Sequence, residues 1–186
     1  MRLAVALRVW AFASCLVCSY GTGAQADEQL TPLAAEGEWA AVSHSDSITD
    51  PPDVCMALDA SKGFGIRVDN TGDLEFRLAN PSWSLPSDVT GSLAFAVNGH
   101  NYSIDITGNT SNAVSASVTQ DQLIPIITDM EKATSMSVKA GSASQIQIPL
   151  DGTTAVLTAF LTCAGIQTPT PNTGGANPFA GAPASQ

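Results

Sequence analysis

The chain contains two imidazoles, His44 and His100, and they are the first side chains to consider for acid–base chemistry near neutral pH. A Ser-His-Asp triad can be composed on paper from His44, Asp46 and one of many serines, but this is true of most proteins. The chain has neither a G-x-S-x-G nor an H-E-x-x-H motif. We therefore predict that His44 is a solvated loop residue and that His100 is exposed beside the Asn98-Gly99 turn. The sequence predicts no catalytic residue and no enzyme.

Acidic side chains gather at Asp46, Asp50, Asp53 and Asp59. Calcium prefers several oxygen ligands, so this cluster is a candidate calcium site. Its spacing matches no known calcium loop, and acidic loops are usually solvated, so we predict neither a metal site nor a cofactor. The stretch 43–53 is polar and rich in proline, which predicts a loop. Asp46, Asp50 and Asp53 are candidates for a contact loop.

The first 26 residues have the pattern of an export signal. A basic start and the apolar run 9–18 precede Ala24-Gln25-Ala26, a small-residue cleavage motif. The apolar run is shorter than the about 20 residues that span a bilayer. We predict cleavage after Ala26 and a periplasmic or secreted protein without a transmembrane span. A lipoprotein signal at Cys15 is the alternative, which Phe12 and the apolar residues after Cys15 disfavour.

Composition limits the partners. The 186 residues are 44% hydrophobic, which is too apolar for a wholly disordered chain, and they carry a net charge of −10. Loss of Arg2 and Arg8 with the signal leaves 5 basic and 17 acidic groups, a net charge of −12. Nucleic acid is disfavoured as the main partner because phosphate binding needs clustered Lys and Arg.

Two of the four cysteines lie in the predicted signal, so the exported chain keeps only Cys55 and Cys163. Two cysteines in an exported protein most simply form one disulfide. A reactive or metal-binding pair would call for C-x-x-C spacing and a nearby histidine, and the pair Cys55 and Cys163 has neither. We predict a structural disulfide that closes a loop of about 108 residues, for which chain entropy gives roughly 4–5 kcal/mol.

Strand patterns dominate the middle of the chain. Large apolar residues alternate with charged ones in 74–78 and repeat the same spacing, with alanine between them, in 93–97. Asn98-Gly99 is a strong hairpin signal with a return strand over 102–106. Trp39 is a candidate core residue. Further strands are predicted at 54–58, 65–68, 113–118, 136–139 and 145–148.

Two helices are predicted later in the chain. Apolar residues at 123, 126, 127 and 130 form one helical stripe. Thr119 and Gln122 have capping-box spacing, but Pro125 belongs in a first turn, so we favour Asp121 as the cap. A last helix is predicted from 153 through Cys163, and Gly165 is the residue that stops it.

These elements predict one domain of α+β class. It is a β-rich antiparallel sheet or sandwich with two short helices, stapled by one disulfide. We place the signal peptide at 1–26, a flexible lead at 27–36, the domain at 37–166 and a disordered Pro/Gly/Ala tail at 167–186.

Four segments carry a family resemblance: 83–86 (WSLP), 93–99 (LAFAVNG), 136–139 (MSVK) and 148–155 (IPLDGTTA). Their order, with a helix between the second and third, resembles the invasion-associated locus B family of small exported alphaproteobacterial proteins over about 80–160. The family typically carries a central cysteine pair, and residues 99–119 contain none. The resemblance implies an exported, non-enzymatic β-rich domain associated with host cells, and it supplies no catalytic residues.

We therefore predict an exported, non-enzymatic binding or structural module of the bacterial envelope whose partner is another protein. The hairpin at 91–106 is the candidate contact surface, where a partner would add a strand. The alternative is a proteinaceous inhibitor of an extracytoplasmic hydrolase that presents the loop 46–53. The sequence leaves the oligomeric state and the identity of the partner open.

Overall fold

The computed structural model of the protein describes residues 29–167. The predicted signal peptide and all but the first residue of the predicted tail lie outside the described residues. Over 29–167 the chain forms two antiparallel sheets and two helices, which confirms the predicted β-rich class. Neither helix, at 11 residues each, is long enough to cross a membrane.

The larger sheet has seven strands in the order β1-β2-β3-β4-β5-β9-β8. The first five form a meander in which each strand pairs with the next, and β9 then pairs with β5 on one side and β8 on the other. Their bounds are β1 Gln29–Glu36, β2 Trp39–Ser45, β3 Val54–Asp59, β4 Phe64–Asp69, β5 Leu74–Ala79, β8 Gly108–Thr110 and β9 Ala113–Val118.

The prediction of a flexible lead is wrong for residues 29–36, which form β1. This strand pairs with β2 around a turn at Gly37, where φ is +60°. Most of its side chains are exposed, so it has no alternating apolar pattern from which a strand could be recognised. Its place in the sheet depends on backbone hydrogen bonds to β2, which the side-chain sequence does not encode.

The smaller sheet has four strands in the order β11-β10-β6-β7. The predicted hairpin is present, with φ values of +49° at Asn98 and +79° at Gly99, as a two-residue turn of this kind requires. Pro149 is the last residue of β11. The bounds are β6 Ser92–Val97, β7 His100–Asp105, β10 Ser135–Ala140 and β11 Ile146–Pro149.

Aromatic side chains join the two sheets. The ring centroids of Phe76 and Phe95, one from each sheet, lie 4.8 Å apart, and Phe64 lies 6.0 Å from Phe95. Trp39 is 1% exposed, packs edge-on against Phe64, and donates its indole N–H to the carbonyl oxygen of Pro149 at 2.8 Å. Trp39 is therefore a core residue, as predicted.

The helix α1 (Gln120–Met130) begins two residues earlier than a cap at Asp121 predicts. Its N-cap is Thr119, which forms a full capping box with Gln122, so the preference for Asp121 is wrong. Pro125 lies inside the helix on an exposed position. The carbonyl that loses its helical hydrogen bond there belongs to exposed Asp121, where water is available to it. The apolar stripe of α1 is buried, as predicted.

The helix α2 (Thr153–Cys163) packs against β1, β2 and β3. Cys163 at its end is joined to Cys55 in β3 by a disulfide with a Cα–Cα distance of 6.0 Å. The bridge spans 108 residues and fixes the last helix to the early strands. The predicted disulfide between the two ends of the domain is confirmed.

Candidate functional site

The loop between β2 and β3 contains the candidate contact residues. It brings together Asp46, which follows β2, Asp53, which precedes β3, and His44 within β2. One ligand atom from each of the three lies within 4.8 Å of the others. The Nδ1 of His44 lies 2.6 Å from the Oδ1 of Asp53, and both side chains are partly exposed. The two strands therefore assemble an imidazole and two carboxylates at one end of the larger sheet.

The other acidic residues of the predicted cluster lie elsewhere. Asp50 is exposed and outside this group. Asp59 lies at the far end of β3, is 0% exposed, and accepts hydrogen bonds from Ser61 and from the backbone N–H of Lys62. Its Oδ2 has no hydrogen-bond partner among the described residues. The four aspartates therefore do not form one calcium site, because the loop precedes the first residue of β3 and Asp59 is the last of its six residues.

A second polar cluster surrounds Asp129, near the end of α1. Its carboxylate accepts hydrogen bonds from the Asn98 amide at 3.0 Å and the Tyr102 hydroxyl at 2.5 Å, and it lies 2.6 Å from Nδ1 of His100. The Asp129 side chain is 9% exposed, whereas that of His100 is 64% exposed. These three partners all lie on the β6–β7 hairpin, so the cluster fastens the hairpin to α1.

The environment of Asp129 favours its ionised form. Burial alone raises the pKa of the carboxyl, but hydrogen bonds from Asn98, Tyr102 and His100 and the charge of His100 lower the pKa to about 2. The hydrogen bond to Asp129 is the largest cause that raises the pKa of Tyr102, to about 12. His100 is exposed, as predicted, but one of its ring nitrogens is held by a buried carboxylate. Such a dyad can orient an imidazole, but the cluster brings no serine or cysteine nucleophile to it.

We expect the hydroxyl of Tyr102 to titrate at about pH 12, against 10.0 for an ordinary tyrosine. The raised pKa means that the hydrogen bond stabilises the fold below pH 10 and loses its effect as pH rises through about 12. Tyr20 leaves with the predicted signal, so Tyr102 is the sole tyrosine of residues 27–186. Ultraviolet absorbance of tyrosinate therefore measures it directly.

The Asp129→Asn variant is the matched control for this titration. In this variant the pKa of Tyr102 should fall back towards 10, because the charged carboxylate that accepts its hydrogen bond is gone. A midpoint near 10 in the folded parent chain would contradict the cluster, and circular dichroism over the same pH range establishes that the chain is still folded.

The edge strands of the two sheets differ in how they are protected. Natural edges carry prolines, bulges or charges, or are very short, which prevents unwanted pairing. β1 contains Pro32 and a bulge between Pro32 and Ala34, β8 has three residues, and β11 has four and ends at Pro149. β7 has six residues, no proline and regular pairing with β6. Of the four edge strands within residues 29–167, only β7 has neither a proline, nor a bulge, nor a length of four residues or fewer.

The register identifies the free backbone groups of β7. Ile106 donates its N–H to the carbonyl of Gly91, so even-numbered residues of β7 bond to β6. The N–H and C=O groups of Asn101, Ser103 and Asp105 consequently point away from the sheet. All three side chains are exposed. The predicted contact hairpin therefore offers a row of unpaired donors and acceptors.

Sequence reasoning missed the Asp129 cluster. Asp129 lies next to the apolar stripe of α1, and a polar residue there is usually solvated. The available signal was the alternation of His100, Tyr102 and Ile104 in β7, which places two polar rings on the core side of the hairpin. A buried acceptor on a neighbouring element is the natural partner for such rings.

Comparison of the chain with protein-family models, with curated proteins and with solved structures finds no match. The resemblance to the invasion-associated locus B family remains a prediction, and so does the inhibitor hypothesis for the loop 46–53.

Proposed function

We propose that the protein is an exported, non-enzymatic binding module that takes up an extended segment of another protein as an additional strand along β7. The observation that carries the proposal is the edge of β7, which has no proline or bulge and along which the backbone groups of Asn101, Ser103 and Asp105 point away from the sheet. Strand addition gains affinity from main-chain hydrogen bonds and specificity from alternate side chains.

The surroundings of β7 suit such a partner. The side chains on the outer face of the strand are short and polar, and only Asp105 is charged, so they leave room beside an added strand. On the opposite face, hydrogen bonds to Asp129 hold His100 and Tyr102 in place. A strand that is already fixed loses little conformational entropy when a partner pairs with it.

The compartment of the proposed module follows from two features. The start of the chain has the pattern of an export signal. A disulfide such as that between Cys55 and Cys163 forms and persists in an oxidising compartment. Both support a periplasmic or secreted protein. The partner would accordingly be another exported or envelope protein.

The test is affinity capture from the envelope fraction and culture medium with residues 27–186 as bait. We expect Ser103→Pro to lose the partner, with affinity at least tenfold lower, because proline removes an outward N–H. The substitution should spare the fold, since this N–H makes no ladder bond. Ser103→Thr is the matched control because it keeps the N–H and should retain the partner.

Hydrogen exchange supplies the second measurement. The amides of Asn101, Ser103 and Asp105 should exchange fast in the free protein and slowly in the complex. The proposal fails if Ser103→Pro, shown to be folded by its thermal transition, captures the same partner as the parent chain. It also fails if no protein is captured, or if protection appears on another strand.

A further inference from the structure

We propose that His44, Asp46 and Asp53 bind a divalent transition-metal ion, with Zn²⁺ as the expected occupant. The site lies at the end of the β2–β3 hairpin and is independent of the strand addition proposed for β7. It joins one imidazole to two carboxylates whose ligand atoms lie within 4.8 Å of one another.

Strand pairing positions two of the three ligands. His44 lies within β2, opposite Val54 at the start of β3, and Asp53 immediately precedes Val54. The backbone N–H of Asp53 donates to the carbonyl of His44 at 2.9 Å, and the carbonyl of Asp53 accepts from the N–H of Asn70 at 2.8 Å. The backbone of Asp53 is therefore fixed by hydrogen bonds at both its N–H and its carbonyl, without a bound ion. Ligands on fixed backbone are more precise than ligands on a free loop.

Charge also favours a cation at this position. Within residues 29–167, neither Asp46 nor Asp53 forms an ion pair with a lysine or an arginine. Arg67, the described arginine that does form ion pairs, is bound to Asp69 and Glu75. Two carboxylates without a lysine or arginine partner among these residues leave a negative site that a divalent ion would neutralise.

The donor set selects the kind of ion. Calcium and magnesium bind almost only oxygen, whereas imidazole nitrogen together with carboxylate suits zinc and its neighbours. The hydrogen bond between Nδ1 of His44 and Oδ1 of Asp53, at 2.6 Å, shows that the two groups already approach each other. Binding requires an unprotonated ring nitrogen, so any proton on it is released to solvent. Three protein ligands leave a coordination position for water or for a partner's donor.

The test uses residues 27–186 without an affinity tag, freed of metal with a chelator, and calorimetric titration with Zn²⁺ alone. We expect one ion per chain. Asp46→Asn and His44→Gln should each weaken binding at least tenfold. Asp50→Asn is the matched control, because Asp50 lies in the same loop and its change removes the same charge. This control should bind Zn²⁺ like the parent chain.

Nuclear magnetic resonance of the two imidazoles gives a readout that does not depend on affinity. Zn²⁺ should move the ring signals of His44 and leave those of His100 in place. The proposal is overturned if no Zn²⁺ binds to the folded chain, if Asp50→Asn weakens binding as much as Asp46→Asn, or if His100 is the ring that responds. Displacement of Zn²⁺ by an equal concentration of Ca²⁺ would also overturn it.

Discussion

Replacing both Cys55 and Cys163 with alanine is expected to lower the free energy of unfolding by about 4 kcal/mol. The disulfide closes 108 residues of chain, and a crosslink over such a long loop removes much of the entropy of the unfolded state. In the folded chain the same bond joins β3 to α2, which packs against β1, β2 and β3. Urea unfolding of residues 27–186 at neutral pH measures the difference.

Reduction of the parent chain provides the matched control for this substitution. Dithiothreitol should shift the urea midpoint of the parent chain to that of the double variant and should leave the variant unchanged. Thiol titration of the oxidised, denatured parent chain should find no free thiol, because its only two cysteines are paired. Two free thiols, or equal midpoints for the parent and the variant, would contradict the prediction.

Local patterns in the sequence predict much of this fold. Asn98-Gly99 predicts a hairpin because both residues tolerate positive φ, and both have it. The disulfide is predictable because only two of the four cysteines lie outside the predicted signal. The strand β1 is not predictable in this way, since its mostly exposed side chains show no alternation and its position depends on the neighbouring backbone.

The candidate sites show the same division between local and distant information. His44, Asp46 and Asp53 lie within ten residues, but only the register of β2 against β3 shows that they meet and that Asp59 does not. Asp129 lies 27 to 31 residues from its hydrogen-bond partners, so nothing near it in sequence indicates burial. Sequence periodicity identifies which face of an element is apolar, whereas a buried polar cluster depends on how two elements dock.

The Asp129→Asn variant is expected to be about 2 kcal/mol less stable than the parent chain at neutral pH. The carboxylate accepts from Asn98 and Tyr102 and contacts His100, and a carboxamide has only one oxygen for these groups. Leaving a buried donor unpaired costs about 1–3 kcal/mol. Asp129→Ala, which removes both oxygens, should cost about 3 kcal/mol. Glu131→Gln is the matched control, because it removes one exposed charge at the same helix end and should change stability by less than about 0.5 kcal/mol.

The stability difference between the parent chain and Asp129→Asn should depend on pH. This dependence shows how much of the difference is due to the negative charge of Asp129. The pKa of the carboxyl is about 2 in the folded chain, against an ordinary 3.8, so the unfolded chain binds more protons between these values. Stability from this group is therefore complete above about pH 4 and lost as pH falls towards 2, a change of about 2 kcal/mol. Urea unfolding at a series of pH values should show the parent chain and Asp129→Asn converging over that range. Curves that stay parallel down to pH 2 would mean that the ionised carboxylate does not stabilise the contact between the hairpin and α1.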